Sequence, residues 1–300
     1  MINYNPHQWT SHLFDLEGSM VREIFGRLSV CVAWSVLVVA FHNYVHPVDV
    51  PSSVHTLLGV ALGLLLVFRT NASYDRFWEG RKLWGSIVNE CRNLARSARA
   101  LLGDDPELLR SIVRWTVAYP YSVMAHLRSR CELGPIASRL PTEEVDRAMG
   151  AQHTPLEVAT RITSLLVEAR DRGRISDYLL GTLDQNVQQL IDYLGACERI
   201  RKTPIPYAYM VHLRRALILY CGSLPFAFVD EFGWVTVLVT LGIAYILFGI
   251  EEIGVEIEDP FGVDANDLPL EALCGTIEMN LSALIDDVEP APAAAPSSAT

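Results

Sequence analysis

The densest mixture of charge and aromatic bulk in this chain is RTNASYDRFWEGRKLW, residues 69–84. Arg69, Arg76, Arg81 and Lys82 alternate with Asp75 and Glu79, and Tyr74, Phe77, Trp78 and Trp84 stand among them. Glu79 precedes Lys82 by three residues, a helical ion-pair spacing. Two chemistries fit this composition. One is a helix buried among other helices and held by ion pairs; the other is a charged funnel that gathers ions. A second group, Glu251, Glu252, Glu256, Glu258 and Asp259, is wholly acidic. It fits either a hard-cation site or a solvated acidic helix. His42 and His46 are four residues apart and read as a ligand pair or as two interfacial histidines. The eight histidines otherwise make no metal-ligand spacing, so no metal and no cofactor are expected. There is no GxSxG, HExxH, Walker loop or GxGxxG, and the chain does not read as an enzyme.

The elements that must position these groups are apolar blocks at residues 28–45, 54–68, 216–229 and 234–250. Each is short for a span of about 20 residues, but they come as two close pairs. The run 54–68 passes into the charged segment with no Pro or turn signal, so one helix leaves an apolar environment and enters water. Its 15 apolar residues are too few for a helix surrounded by lipid and enough for one surrounded by protein. Gly59 and Gly63 on it form a GxxxG pair, which lets backbones approach, and Ser53 is placed to cap it. All 24 Lys and Arg lie within 22–27 or 69–215, and none in the connectors 45–53 and 229–233. Positive residues stay on the cytoplasmic side. Both connectors are therefore expected outside, with both termini and the long middle segment in the cytoplasm.

The net charge of -11 excludes a nucleic-acid partner that needs a basic stripe. The six cysteines are far apart and read as reduced thiols. No basic run followed by an apolar run marks a cleavable signal at the N-terminus. Residues 1–27 read as an interfacial or cytosolic segment, in which Trp9, Leu13, Leu16 and Met20 share a helix face. Residues 28–69 hold spans 1 and 2, 70–210 a helical cytosolic domain, and 211–250 spans 3 and 4, with a kink at Pro225. Residues 251–287 are an acidic cytosolic segment and 288–300 a disordered Pro/Ala tail. Within the domain, helices should start after Asp104-Asp105-Pro106, at Thr154 with its hydroxyl as cap, and after Ser176; Arg172-Gly173-Arg174 ends one. Pro135 and Pro141 bracket a loop, and Thr203-Pro204-Ile205-Pro206 is a stiff joint.

Seven ordered motifs carry a resemblance: FRTNASYDRFWEGRKLWG (68–85), TPIPYAY (203–209), HLRRALILY (212–220), LPFAFVD (224–230), EDPFG (258–262), NDLPL (266–270) and IEMNL (277–281). From Phe14 to Leu281 the chain resembles the bestrophin family in its bacterial branch. The resemblance implies an all-α integral membrane protein with four transmembrane helices, a large helical cytosolic region and a homopentamer around a central pore. It implies passive passage of monovalent ions across the bacterial inner membrane, with chloride as the family default. The second span would line a neck with rings of Val60, Leu64 and Phe68, and Tyr178 would form the cytosolic constriction. Spacing agrees as far as it goes, since residues four apart share a helix face. The acids after Pro-Phe-Gly, Asp264 and Asp267, are interrupted, unlike the dense acidic run of the animal members' calcium clasp. Asp49, Asp230 and Glu231 in the outer connectors would favour cations, so a sodium or potassium channel is the alternative. A membrane-embedded enzyme or a membrane-anchored scaffold are the rivals from other classes.

Overall fold

The computed structural model describes residues 19–48 and 50–285. Among them are nine α-helices and no strand. They are α1 (Val21–Tyr44), α2 (Ser52–Leu101), α3 (Pro106–Leu127), α4 (Thr142–Gly150), α5 (Thr154–Asp171), α6 (Asp177–Lys202), α7 (Tyr207–Phe232), α8 (Thr236–Glu256) and α9 (Leu270–Ser282). A 3-10 turn at Pro135–Arg139 occupies the loop expected between the two prolines, and another at Gly233–Val235 joins α7 to α8. The expected interfacial helix before residue 19 and the tail after 285 lie outside the described residues.

The chain forms two compact units: Met1–Glu79 with Thr203–Asp267, and Gly80–Lys202 with Leu268–Thr300. The 50-residue helix α2 contributes to both. Among the described residues, three helical runs are long and apolar enough to cross a membrane: Val21–Tyr44, Ser52–Leu101 and Tyr207–Glu256. The third is the hairpin of α7 and α8. Near its open end, Arg214 Nε lies 3.0 Å from Glu251 Oε1, and beside the turn the Thr236 hydroxyl donates to the Phe228 carbonyl at 3.1 Å. The hairpin packs against α1.

The core of this first unit is built from one stripe of each helix: Ile24 and Leu28, Leu62 and Leu66, Leu213, Leu217 and Cys221, Ala244 and Phe248. Gly59 sits where α2 approaches α7. A Cβ there would come within 2.6 Å of the Tyr220 hydroxyl, whereas at Gly63 nothing lies within 4 Å. Only the first glycine of the GxxxG pair is a close approach inside the subunit. Pro225 lies within α7 without ending it. Ser53 is not the cap of α2: the helix already begins at Ser52, which places Ser53 in its first turn.

In the second unit α3 is the central helix. Sixteen of its 22 residues are buried, so it is covered on every side. It starts as expected, with Asp105 accepting from the Leu108 amide at 3.3 Å and Pro106 in the first turn. Helix α9 packs on it through Glu278, which accepts the Tyr121 hydroxyl at 2.6 Å, and Asn280 Oδ1 receives Arg92 Nε at 2.9 Å. The IEMNL motif is thus the fastening of the C-terminal helix. Ser176 caps α6 as expected, accepting from the Leu179 amide at 3.4 Å. The start of α5 differs. His153 is the cap residue, its Nδ1 accepting from the Leu156 amide at 3.2 Å, while the Thr154 hydroxyl turns to the Cys131 sulfur at 3.9 Å. No disulfide joins any of the six cysteines, all of which lie among the described residues.

Candidate functional site

Helix α2 presents two different faces over residues 60–69. Leu62, Leu66 and Arg69 are 4%, 2% and 1% exposed. Val60, Leu64 and Phe68 are 71%, 55% and 57% exposed. At 3.6 residues per turn, a two-residue step rotates by about 200°, so the apolar row 60, 64, 68 lies opposite the row that packs on the first unit's core. The three residues are brought onto one face, and among the described residues that face is mostly uncovered. Tyr178, the other residue singled out from sequence, is 82% exposed in the first turn of α6.

Immediately below the apolar row the chain changes to charge chemistry. The Arg69 guanidinium is buried, donating from Nη1 to Ser73 Oγ at 2.8 Å and from Nη2 to Glu258 Oε2 at 2.7 Å. Glu258 Oε1 accepts the Ile205 amide at 2.8 Å, and the Glu258 carbonyl accepts Arg76 Nε at 3.1 Å. Arg76 also bonds the Thr203 carbonyl. One carboxylate therefore ties together the charged segment of α2, the Thr-Pro-Ile-Pro joint and the Glu-Asp-Pro-Phe-Gly turn. The Arg69 stem rests 3.5 Å from where a Gly254 Cβ would stand. Of the two readings of residues 69–84, the ion-paired helix describes Arg69, while Arg76 is held by two backbone carbonyls.

The acidic residues after Ile250 separate into two sets. Glu251, 2% exposed, lies between Arg27 Nη1 at 3.4 Å and Arg214 Nε at 3.0 Å, and Glu252 takes Arg27 at 2.7 Å. With Glu258, these are neither a cation site nor a solvated face; they are arginine partners, drawn from positions too distant in sequence to be read as pairs. Glu256, Asp259, Asp264 and Asp267 line a second pocket with Glu23 and Glu252. Burial raises the Asp267 carboxyl; the bond from the Asp264 amide at 2.7 Å opposes this, and Asp264, Asp259 and Glu256 add to the rise, leaving it at about 6. Gly262 is required beside it, because a Cβ there would stand 2.5 Å from Asp267 Oδ2.

His42 and His46 do not converge as ligands. His42 Nδ1 engages the Val48 backbone at 2.9–3.1 Å, and His46 Nδ1 the Pro47 carbonyl at 2.6 Å. A different trio does converge in the second unit: His126, His153 and Glu198, whose ligand atoms lie within 4.8 Å of one another. They are 27 and 45 residues apart in sequence, so no spacing signals them. Burial raises the Glu198 carboxyl, but bonds from Lys202, His126 and His153 outweigh it and hold the group at about 2.

Comparison with known proteins accounts for the motifs that these contacts explain. Residues 1–283 match the model of the Bacterial/Fungal Bestrophin protein family. A voltage-dependent anion channel-forming protein of Nostoc sp. is 41% identical over 92% of this chain and 91% of its own length. The voltage-dependent anion channel-forming protein YneE of Escherichia coli is 31% identical over 96% and 95%. The crystal structure of a bacterial bestrophin homologue from Klebsiella pneumoniae superposes with a TM-score of 0.81 at 33% identity, covering 87% of this chain and 98% of that one. A helical fold shared over almost the whole length, with the signature segments fastened to one another through Glu258, makes this chain a member of the bacterial bestrophin family.

Proposed function

We propose that this chain forms a homopentameric channel in the bacterial inner membrane that passes monovalent anions passively. The observation that carries the proposal is the apolar row Val60, Leu64 and Phe68, exposed on a helix whose opposite face is fully packed. Five copies of that row around an axis enclose a neck whose walls give water no hydrogen bonds. Such a constriction gates by dewetting and discriminates weakly between signs of charge. Helices α1, α2, α7 and α8 are the four crossings, both termini lie in the cytoplasm, and Tyr178 rings the cytosolic exit. The relatives named as anion channel-forming proteins support the choice of anion, with chloride as the default ion.

A cation-selective channel is the second reading. Asp230 and Glu231 are exposed at the end of α7, and neither connector carries a Lys or Arg. A ring of carboxylates at an outer mouth concentrates cations.

Purified protein in liposomes under a sodium chloride gradient tests the proposal. Unitary currents reversing toward the chloride equilibrium potential are the expected result. Reversal toward sodium establishes the second reading instead. Turnover of a solute without current would make the protein an enzyme or carrier, and silence would leave a scaffold. Mass measurement in detergent should give a pentamer; a monomer or dimer that still conducts refutes the assembly.

A further inference from the structure

His126 lies in the last turn of α3, His153 caps α5, and Glu198 lies in the penultimate turn of α6. Three helices of the second unit thus place one side chain each at one point. His126 Nε2 stands 2.7 Å and His153 Nε2 3.0 Å from the same oxygen, Glu198 Oε1. The two rings stack with centroids 4.5 Å apart and planes at 29°, with both Nε2 atoms directed at Glu198 Oε1. The side chains are 26%, 35% and 18% exposed, enclosed on the protein side and open to solute on the other. Lys202 holds the second Glu198 oxygen at 2.9 Å, but its own side chain is 69% exposed and can swing into water.

We propose that His126, His153 and Glu198 are a binding site for a divalent transition metal of the zinc type, which pins α3, α5 and α6 together. Two imidazoles and one carboxylate form the donor set of three-ligand zinc sites that leave a fourth position to water. The nitrogen majority selects zinc, nickel or copper over calcium and magnesium, which take oxygen ligands. Zn–N and Zn–O bonds are about 2.0–2.2 Å, which sets tetrahedral ligand atoms roughly 3.3 Å apart. The present separations of 2.7 and 3.0 Å would widen by roughly 0.3–0.6 Å, and all three ligand atoms already lie within 4.8 Å of one another.

The site carries its own signature. His153 Nδ1 accepts the Leu156 amide, so its proton sits on Nε2 and is given to Glu198. Ligation through Nε2 moves that proton to Nδ1, which then cannot accept, and the α5 cap bond opens. Metal and helix cap therefore compete for one imidazole.

The test uses the full chain in detergent, stripped with chelator and titrated with Zn2+ or Co2+ alone. The parent should bind one more metal ion per chain than the double variant His126→Gln/His153→Asn, in which Asn keeps a capping oxygen. Cobalt should develop visible d–d absorption in the parent only, an equal concentration of calcium should not displace it, and the Leu156 amide should exchange faster with metal bound. Glu198→Gln, which keeps the shape and an oxygen for the two histidines but loses the charge and turns its NH2 toward the exposed Lys202, should also lower the stoichiometry by one and serves if the double variant fails to fold. Equal stoichiometry in parent and folded variants refutes the site, as does binding that leaves the Leu156 amide unchanged. No current is measured, so the result stands whichever ion the channel passes.

Discussion

Replacing Glu258 by Gln tests the anchor beneath the apolar row. The change preserves shape but removes the charge that faces Arg69, a guanidinium only 1% exposed. Among the described residues Arg69 has Ser73 Oγ as its other acceptor, and its Nε has none. Gln also has one oxygen for two donors, Arg69 Nη2 and the Ile205 amide, so one of them meets an NH2 group. Removing one partner of a buried pair costs about 3–5 kcal/mol. Glu258 retains 18% of its side-chain exposure, which puts the expected loss near the lower end, about 3 kcal/mol. At roughly 2–4 °C per kcal/mol for a chain of this order of size, the melting midpoint in detergent should fall by about 6–12 °C. Glu168→Gln is the control. Its carboxylate is 40% exposed beside Arg172, itself 44% exposed, and an exposed pair is worth about 0–1 kcal/mol. Adding Arg69→Met to Glu258→Gln should recover much of the loss, because no charge is then left buried and the Gln oxygen is free for the Ile205 amide. If Glu258→Gln melts within about 2 °C of the parent, or the double variant melts no higher than the single one, Glu258 is not the anchor.

Further outcomes can be checked with similar means. Truncating Val60, Leu64 and Phe68 to Ala should raise unitary current without reversing the sign of the permeant ion, since no charge changes. With 55–71% of each side chain already exposed, the subunit should lose only about 0.5–1.5 kcal/mol per site, and unchanged current in oligomeric protein would make the row packing rather than gate. Gly262→Ala should displace Asp267 from the Asp264 amide and cost about 1–3 kcal/mol, read as a lower melting midpoint. Glu198, held at about 2 against about 4.3 when unfolded, contributes stability that is complete above pH of about 4.3 and is lost as pH falls toward about 2. Because water reaches the site, that contribution is about 1 kcal/mol, and Glu198→Gln should flatten the acid limb of a stability–pH curve; an unaltered limb contradicts it.

The helices were legible in the sequence because their causes are local. Apolar runs, the Asp105-Pro106 start and the Ser176 cap depend on neighbours within four residues. The α5 start misled for a related reason: Thr154-Pro155 has the pattern of a cap, but His153 reaches the Leu156 amide while Thr154 is drawn toward Cys131. What stayed illegible depends on tertiary approach. Glu251 is joined to Arg27 and Arg214 across 224 and 37 residues, and Glu258 to Arg69 across 189. From sequence the acidic run offers only a cation site or a solvated face, because nothing local names an arginine as its neighbour. The histidine trio is the extreme case, with two ligands supplied by helix ends whose meeting is a property of the packed unit alone.

The proposed pore-facing role of the row on α2 has to be told from exposure to lipid, since apolar side chains are also exposed on α1, α7 and α8, as at Leu37, Leu219 and Leu238. The continuation of the row bears on the choice. At about 100° per residue, Asp75 and Glu79 fall within roughly 20° of Phe68 around the helix axis. Both are on the exposed side of α2, whereas Ser73 and Gly80 are buried. The helix therefore carries its apolar row directly into a row of carboxylates on the same face, without a turn and while its opposite face stays fastened to Glu258. In the proposed pore, a water path that narrows to an apolar neck and reopens into a polar vestibule uses both, in that order.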